Sequence, residues 1–493
     1  MKTKVNIIGA GFSSLAAACY LSEKGYEVEV FEKNKSIGGR ARQLDIQGCK
    51  FDMGPTWYWM PDVFEKFFSY FGKKPSDYYE LERLNPAYEV FFGEGNKVKV
   101  PGSIDEIYKL FDKKEKDGAK KLKQFLDKAE DNYAIAIKDL VYKPGVSPME
   151  LVSLKTLTRV GRFFTNIRKE VRKLFDNEEL IEILEFPVLF LGAKPQDTPS
   201  FYSFMNYADL VLGTWYPKGG MFSVVDGIYK LSQELGVKIN TNSSVDSIVV
   251  RNDKAVGLMI NGAERSCDVV LSGADYSHSE TLFPEKYRQY SSSFWEKKTF
   301  APSSLLFYIG LNKKLINVEH HCLFFDKDFD THALEIYDNP KWPKEPLFYG
   351  SFPTISDTTI TNNGIEMATF LVPLAPGLED SPEQREAVFN NIITRFERLT
   401  NQKVQTNIEF MESYCVNDFI EDYNSYKGNA YGLANNLMQT AFLRPKLKSK
   451  KLKNMYFTGQ LTVPGPGVPP ALISGNLVAD LINKDFKTYE NNF

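Results

Sequence analysis

The segment KVNII at 4–8 reads as a short buried strand, and it runs directly into Gly9-Ala10-Gly11-Phe12-Ser13-Ser14. Residues 15–24 then carry helical spacing, Gly25 ends that helix, residues 26–31 read as a second strand, and Glu32 stands at its end. This order predicts a βαβ unit. A related pattern returns in the middle of the chain, where Tyr216-Pro217-Lys218-Gly219-Gly220 leads a helix through Lys230. Strand-like segments follow at 237–240, 245–251 and 256–260, and another at 268–271 leads to Gly273-Ala274-Asp275. At the far end, 454–458 reads as a strand, Gly459-Gln460 precedes PGPGVPP at 464–470, and 471–482 regains helical periodicity.

Two stretches between these blocks have a different character. Over 151–175, Leu157, Val160, Phe164, Ile167, Val171 and Leu174 recur at three and four residues, while Lys155, Arg159, Arg162, Lys169 and Lys173 fall largely elsewhere around the helix. Such a basic amphipathic helix either packs on the protein's own core or lies in a bilayer interface. Phe64, Phe67, Phe68, Tyr70 and Phe71 form an aromatic group that suits core packing or an apolar tunnel. The basic runs at 113–123 and 444–453 read as solvated faces, and the second, lacking any acidic residue, could also touch a membrane.

Composition narrows the field. A chain of 493 residues exceeds one ordinary core and predicts two domains. A net charge of −3 gives no pull toward nucleic acid. Five scattered cysteines and four histidines, with only His320-His321 adjacent, predict a reduced cytoplasmic protein without a structural metal. No run of about 18 apolar residues is present, so no bilayer span is expected. Residues 1–19 imitate an export signal, but cleavage there would remove the glycine turn. Hydrolase, zincin and P-loop signatures are absent.

The glycine turn has a chemical logic. Gly9 permits the tight turn, Gly11 lets backbone approach a pyrophosphate, and the helix starting near Phe12 offers free N–H groups to the anion. Glu32 can accept both ribose hydroxyls. Ser14 stands where the fingerprint has its third glycine, at the contact between helix and strand. Six residues beyond Glu32, Gly38-Gly39-Arg40-Ala41 brings two more glycines and a forked cation to the phosphates. Together the two motifs point to FAD rather than NAD.

These residues, IIGAGFSSLAAACYLSEKGYEVEVFEKNKSIGGRA followed by FDMGPTWYWMP, resemble the flavin amine oxidase and phytoene desaturase superfamily. The C-terminal stretch FTGQLTVPGPGVPPALISGNLVADLI resembles the signature of its bacterial carotenoid desaturases. The resemblance implies an α/β fold in which a Rossmann-like FAD-binding domain (1–57, 215–275 and 427–493) is interleaved with a substrate domain of mixed sheet plus helices (58–214 and 276–426). The helical, membrane-associating part would lie near 104–186. It implies that Gly9, Gly11, Phe12, Ser13, Ser14, Glu32, Lys33, Gly38, Gly39 and Arg40 line the FAD site, with Gly54, Pro55 and Thr56 near the flavin ring. Val245 would meet the adenine through its backbone, and Gly459, Gln460, Gly467, Val468 and Pro469 would cover the flavin. Gln460 departs from the acidic residue common in amine oxidases at this place.

The implied reaction is removal of two hydrogens from a saturated carbon pair in a long apolar polyene, with hydride passing to the flavin. The implied substrate is 15-cis-phytoene, taken toward lycopene by successive dehydrogenations, with oxygen or a quinone as final acceptor and a peripheral membrane location. A carotenoid cis-trans isomerase, a flavin amine oxidase and a non-catalytic prenyl- or lipid-binding relative are the alternatives. No motif identifies a catalytic acid or base. Asp209 and Asp275 are candidates for stabilising positive charge, and a structural role is equally open for both.

Overall fold

The computed structural model describes residues 2–151 and 165–490. Lys4–Ile8 lies at the centre of a five-stranded sheet in the order Met455–Phe457, Val269–Ser272, Lys4–Ile8, Glu27–Phe31, Lys238–Asn240, every pair parallel. A parallel sheet is covered on both faces, which is why its strands are nearly continuous in apolar residues. Alternation still decides which face each residue serves. Val269 and Leu271 join Val5, Ile7, Val28 and Val30 on one face, while Val270 joins Ile8 and Phe31 on the other. The helices Phe12–Glu23, Phe222–Glu234 and Val468–Glu490 cover the first face, and an antiparallel meander of Val245–Arg251, Lys254–Ile260 and Ala263–Ser266 covers the second.

The helices Phe12–Glu23 and Val468–Glu490 meet at very short range. Ala16, Ala17 and Ala18 are wholly buried. A Cβ at Gly475 would sit 2.6 Å from the Ser13 carbonyl oxygen and 2.8 Å from both the Ala17 nitrogen and the Ala16 Cβ. The small residues are therefore the contact surface itself, and they seat the C-terminal helix on the N-terminal one. Ser14 is accommodated by a similar exchange. It is fully buried, and a Cβ on Gly273 at the end of its strand would fall 1.9 Å from the Ser14 hydroxyl. The helix carries serine because the strand end carries glycine.

A second, seven-stranded sheet runs Ile408–Tyr414, Ser303–Leu311, Glu366–Leu374, Phe348–Ser351, His321–Phe324, Tyr88–Gly93, Asn96–Val100. It is antiparallel except where His321–Phe324 pairs parallel with Tyr88–Gly93. The long helix Pro382–Thr400 packs on it through Phe389, Ile392 and Phe396. Helices Ile104–Lys114, Gly118–Ile135, Glu178–Glu185 and Phe204–Leu210 build the remainder. The α/β class, with a Rossmann-like parallel sheet beside a mixed sheet and helices, is the one the sequence pattern and the resemblance led to.

Three local expectations meet different outcomes: one resolves between its two alternatives, one is corrected, and one falls mostly outside the described residues. Phe64, Phe67 and Phe68 are core residues, packed with Tyr20, Phe71 and Tyr78 in edge and stacked contacts, so this aromatic group does not form a tunnel. The basic run at 444–453 begins with a buried residue, Arg444, rather than a solvated one. Most of the 151–175 amphipathic segment lies outside the described residues. Its described part holds the helix Ile167–Arg172, whose Ile167 and Val171 are buried and whose Arg168 is paired with Glu185 at 2.9 Å and Asp330 at 2.8 Å. No described helix is long and apolar enough to cross a membrane.

Candidate functional site

In an open parallel sheet the carboxyl ends of the strands are where a ligand finds backbone N–H groups and helix starts. Here those ends carry Gly9, Glu32, Gly273 and Gly459, following Ile8, Phe31, Ser272 and Phe457-Thr458. A cavity of about 950 Å³ opens from them. It is lined by Gly9, Gly11, Phe12, Ser13, Glu32, Lys33, Gly38, Gly39, Arg40, Gly54, Pro55, Thr56, Val245, Gly459, Gln460, Gly467, Val468 and Pro469. Of the residues expected to hold the cofactor, Ser14 alone is not brought to it, because it faces Gly273 between helix and strand.

The three glycine segments touch one another directly. The Gly38 amide donates to the Ala10 carbonyl at 2.8 Å, and a Cβ at Gly39 would lie 3.2 Å from the Gly11 Cα. A Cβ at Gly54 would lie 2.3 Å from the Arg40 carbonyl oxygen. Side chains are thus excluded where the backbones cross, and a cradle of bare backbone remains. Gly459 completes it, since a Cβ there would meet the Ser13 hydroxyl at 3.2 Å. The first and last blocks of the chain are in contact.

Charge in the cradle is arranged for a nucleotide. The buried Glu32 carboxylate accepts the Ala10 amide and the Asn34 amide, each at 2.8 Å, which fixes both oxygens while leaving lone pairs for hydroxyl donors. Arg40 donates to the Ser425 hydroxyl at 2.9 Å and the Asn429 carbonyl at 3.2 Å, and its buried Nε has no partner. Burial lowers its pKa against the pull of nearby Asp275, yet no carboxylate stands within ion-pair distance of it among the described residues. A half-buried guanidinium with no carboxylate in ion-pair contact fits an anionic ligand such as a pyrophosphate.

Several lining residues gave no signal in the sequence. Asp422, Tyr423 and Asn424 reach the cavity from a strap held down by Lys33, which donates to the Glu421 carbonyl, and by Asn34, which donates to the Asp422 carbonyl at 3.1 Å. Tyr423 lies between Arg40 and Arg42, with guanidinium carbons 5.0 and 5.1 Å from its ring centre. Arg444 pins the turn after Gly459 by donating to the Gln460 carbonyl at 3.1 Å and the Leu433 carbonyl at 3.0 Å, and burial lowers its pKa to about 10.

Beyond Gly54-Pro55-Thr56 the lining turns apolar, with Trp57, Trp59, Phe186, Phe201, Phe204 and Phe325. These aromatics come from separate stretches of the chain, at 57–59, 186, 201–204 and 325, so no single cluster announced them. Of the two aspartates considered for catalysis, Asp275 lines the cavity but caps the helix Tyr276–Thr281, accepting the Ser277 amide at 3.0 Å. Asp209 does not line it. Asp209 accepts the Tyr88 hydroxyl at 2.9 Å and holds Thr214, whose hydroxyl accepts the Trp59 indole N–H at 2.8 Å. It is a buttress for a cavity wall.

Burial raises the Asp209 carboxyl to about 7 against the hydrogen bonds from Tyr88 and Thr214. Because the folded value lies above that of an unfolded aspartate, near 4, its contribution to stability is complete below about pH 4 and is lost as the pH rises through about 7. Asp209→Asn is expected to flatten the fall in thermal midpoint across that window. An unchanged pH profile of unfolding in the variant would remove Asp209 as its source.

Comparison with known proteins gives a consistent outcome. The family model described as flavin containing amine oxidoreductase matches residues 12–483. The carotenoid 3,4-desaturase of Haloarcula japonica is 38% identical over 98% of this chain and 98% of its own length. The 4,4'-diapophytoene desaturase (4,4'-diaponeurosporene-forming) of Staphylococcus haemolyticus is 30% identical over 98% of this chain and 99% of its own. Among solved structures, putrescine oxidase bound to putrescine superposes with a TM-score of 0.60 at 15% identity, covering 98% of this chain and 99% of that one. That likeness is one of fold.

Proposed function

From the premise that the chain belongs to the family of flavin-containing amine oxidoreductases, with FAD as its cofactor, we propose that it is a carotenoid desaturase acting on a long acyclic polyene. The observation that carries the reading is the continuity of one cavity, from the Glu32 and Arg40 cradle past Thr56 into an aromatic passage. In its finer form the substrate is 15-cis-phytoene, dehydrogenated stepwise toward lycopene. The name of the Haloarcula japonica relative makes the 3,4 position of a carotenoid the second site to test.

Glu32 would take the ribose, Arg40 and the amides of the glycine turns the pyrophosphate, and Gly54 to Thr56 with Gly459 to Pro469 the ring system. When bound, FAD supplies the two-electron hydride acceptor. The protein's share is to hold the polyene against the ring, to keep water out with the Trp57, Trp59 and Phe186 wall, and to receive a proton.

Expression in cells that accumulate phytoene, and in parallel in cells that accumulate more desaturated acyclic carotenoids, tests this. The expected result is a longer-wavelength pigment and a loss of two mass units per step. Flavin-loaded protein that leaves every polyene unchanged, yet releases peroxide from polar amines, would overturn the reading in favour of an amine oxidase.

Such a substrate must be drawn from lipid, and the cavity rim supports a peripheral membrane contact. Val146, Met149 and Met438 are 65%, 71% and 72% exposed, on two segments whose Gly145, Ser147, Leu437 and Leu443 line the cavity. Apolar side chains of this kind gain about 25 cal/mol per Å² when they enter acyl chains. Met149→Asp with Met438→Asp is expected to release the protein from phospholipid vesicles in a flotation assay while FAD binding persists. Undiminished flotation would assign the contact elsewhere.

A further inference from the structure

The dehydrogenation leaves a proton to be disposed of, and the carboxylates of the cavity are poorly placed for it. Among the described lining residues, Glu32, Asp275 and Asp422 sit with the glycine turns and the strap, and Glu150 sits at the rim. What stands beside Thr56 instead is a chain of neutral groups. The Thr56 hydroxyl is 2.8 Å from the Tyr349 hydroxyl, which is 2.6 Å from His321 Nδ1. Thr56 and Tyr349 line the cavity, whereas His321 is wholly buried behind them. The indole of Trp57 is stacked on the His321 ring, 4.2 Å between centres and 11° apart, which fixes the imidazole plane.

We propose that Tyr349 is the proton acceptor of the dehydrogenation and that His321 is the positioning residue behind it, taking over the tyrosine's own proton. The geometry leaves one arrangement in which this works. In the Nε2–H tautomer of His321, the Tyr349 hydroxyl donates to Nδ1 and accepts from Thr56, with the side chains of Ser351 and Trp57 alongside it, and its oxygen reaches the cavity wall. The balance is closed. One substrate carbon loses hydrogen with its bonding pair as the hydride that FAD accepts. The neighbouring carbon loses hydrogen as a proton to the Tyr349 oxygen, and its C–H pair becomes the new C=C bond. The tyrosine proton moves to His321 Nδ1, giving an imidazolium and a neutral tyrosine. Burial, with His320 alongside, holds His321 well below the ordinary imidazole range, so it begins each turnover unprotonated and readily gives the proton up again. Its buried Nε2 has no partner among the described residues, so no carboxylate fixes the ring in its charged form.

The inference rests on the carotenoid desaturase reading and is tested with the FAD-loaded protein. Tyr349→Phe keeps the ring and removes only the hydroxyl. Anaerobic single-turnover reduction of the flavin by a polyene that the wild type converts is expected to slow about 10²-fold or more, general-base catalysis being worth roughly that. Binding of FAD and of the polyene should hold, and the solvent deuterium isotope effect expected of the wild type should vanish. His321→Gln, which keeps a hydrogen-bonding group but not a base, should slow the same step and lose the same isotope effect, an outcome a merely structural histidine does not give. A readout without turnover is nitrogen-15 resonance of the labelled histidines: His321 Nδ1 should report an unprotonated acceptor whose shift moves in Tyr349→Phe. Flavin reduction by Tyr349→Phe at the wild-type rate, or a proton found on His321 Nδ1 in the resting protein, would overturn the relay. A wild type inert toward every polyene would instead overturn the desaturase reading.

Discussion

Arg40→Met yields a folded protein that is purified without flavin colour and, compared as apoprotein, melts no lower than the wild type. Two opposite signs make this outcome specific. In the flavin-free protein Arg40 is a half-buried cation with a buried, unpartnered Nε and no ion-paired carboxylate among the described residues. An apolar side chain of similar length therefore costs little or stabilises. With the dinucleotide present the same guanidinium would be the forked partner of the pyrophosphate. Removing one member of a buried, hydrogen-bonded charge pair costs about 2–5 kcal/mol, which is roughly 30-fold to several thousand-fold in affinity. Titration of apoprotein with FAD, followed by flavin fluorescence, measures the loss, and calorimetry of the apoprotein measures the first sign. FAD affinity within a few-fold of wild type would place the phosphates away from Arg40.

Gly475→Ala lowers stability by about 1–3 kcal/mol and weakens FAD binding with it, the range being that of an overpacked core. A single methyl has this reach because two of the three atoms it would meet, the Ser13 oxygen and the Ala17 nitrogen, are backbone atoms at 2.6 and 2.8 Å. Neither can rotate away. One helix must move off the other, and both carry the site: Phe12–Glu23 begins at the Gly9–Gly11 turn, and Val468–Glu490 begins at the Gly467 turn. Adding Ala16→Gly removes only the side-chain contact, so it is expected to restore little. A denaturant midpoint unchanged in Gly475→Ala would show that the two helices have room to separate.

Much of the cofactor half was legible because its constraints are local. The Gly9 to Ser14 turn, Glu32 after the second strand, Gly38 to Arg40, and the Gly459 to Pro470 loop each lie within a few residues of a strand or helix signal, and every one of these segments reaches the cavity. Ser14 was legible only as a departure from the fingerprint. The reason for it, Gly273, lies on a strand some 260 positions away, and no local rule links the two. The same distance hid the strap of Asp422 and Tyr423, the Arg444 pin and the Trp57 to Phe325 wall, whose members are ordinary core-type residues until the fold gathers them. Phe64, Phe67 and Phe68 show the converse: near neighbours in sequence that helical spacing turns inward to the core, while Tyr70, just past the helix, stays exposed.

By itself the sequence determined that strands and glycine turns at 4–14, 26–40 and 454–470 would form and leave backbone bare of side chains, because a missing Cβ and the alternation of a strand act over a few residues. Only the tertiary structure decided that Thr56, Tyr349 and His321 would form one hydrogen-bonded chain, that Arg40 would be half-buried without an ion-paired carboxylate among the described residues, and that Asp209 would support a wall instead of lining the cavity. Those outcomes depend on which distant side chains share a space closed to water, where a hydrogen bond or a charge counts for most, and that space exists only once the two sheets have packed together.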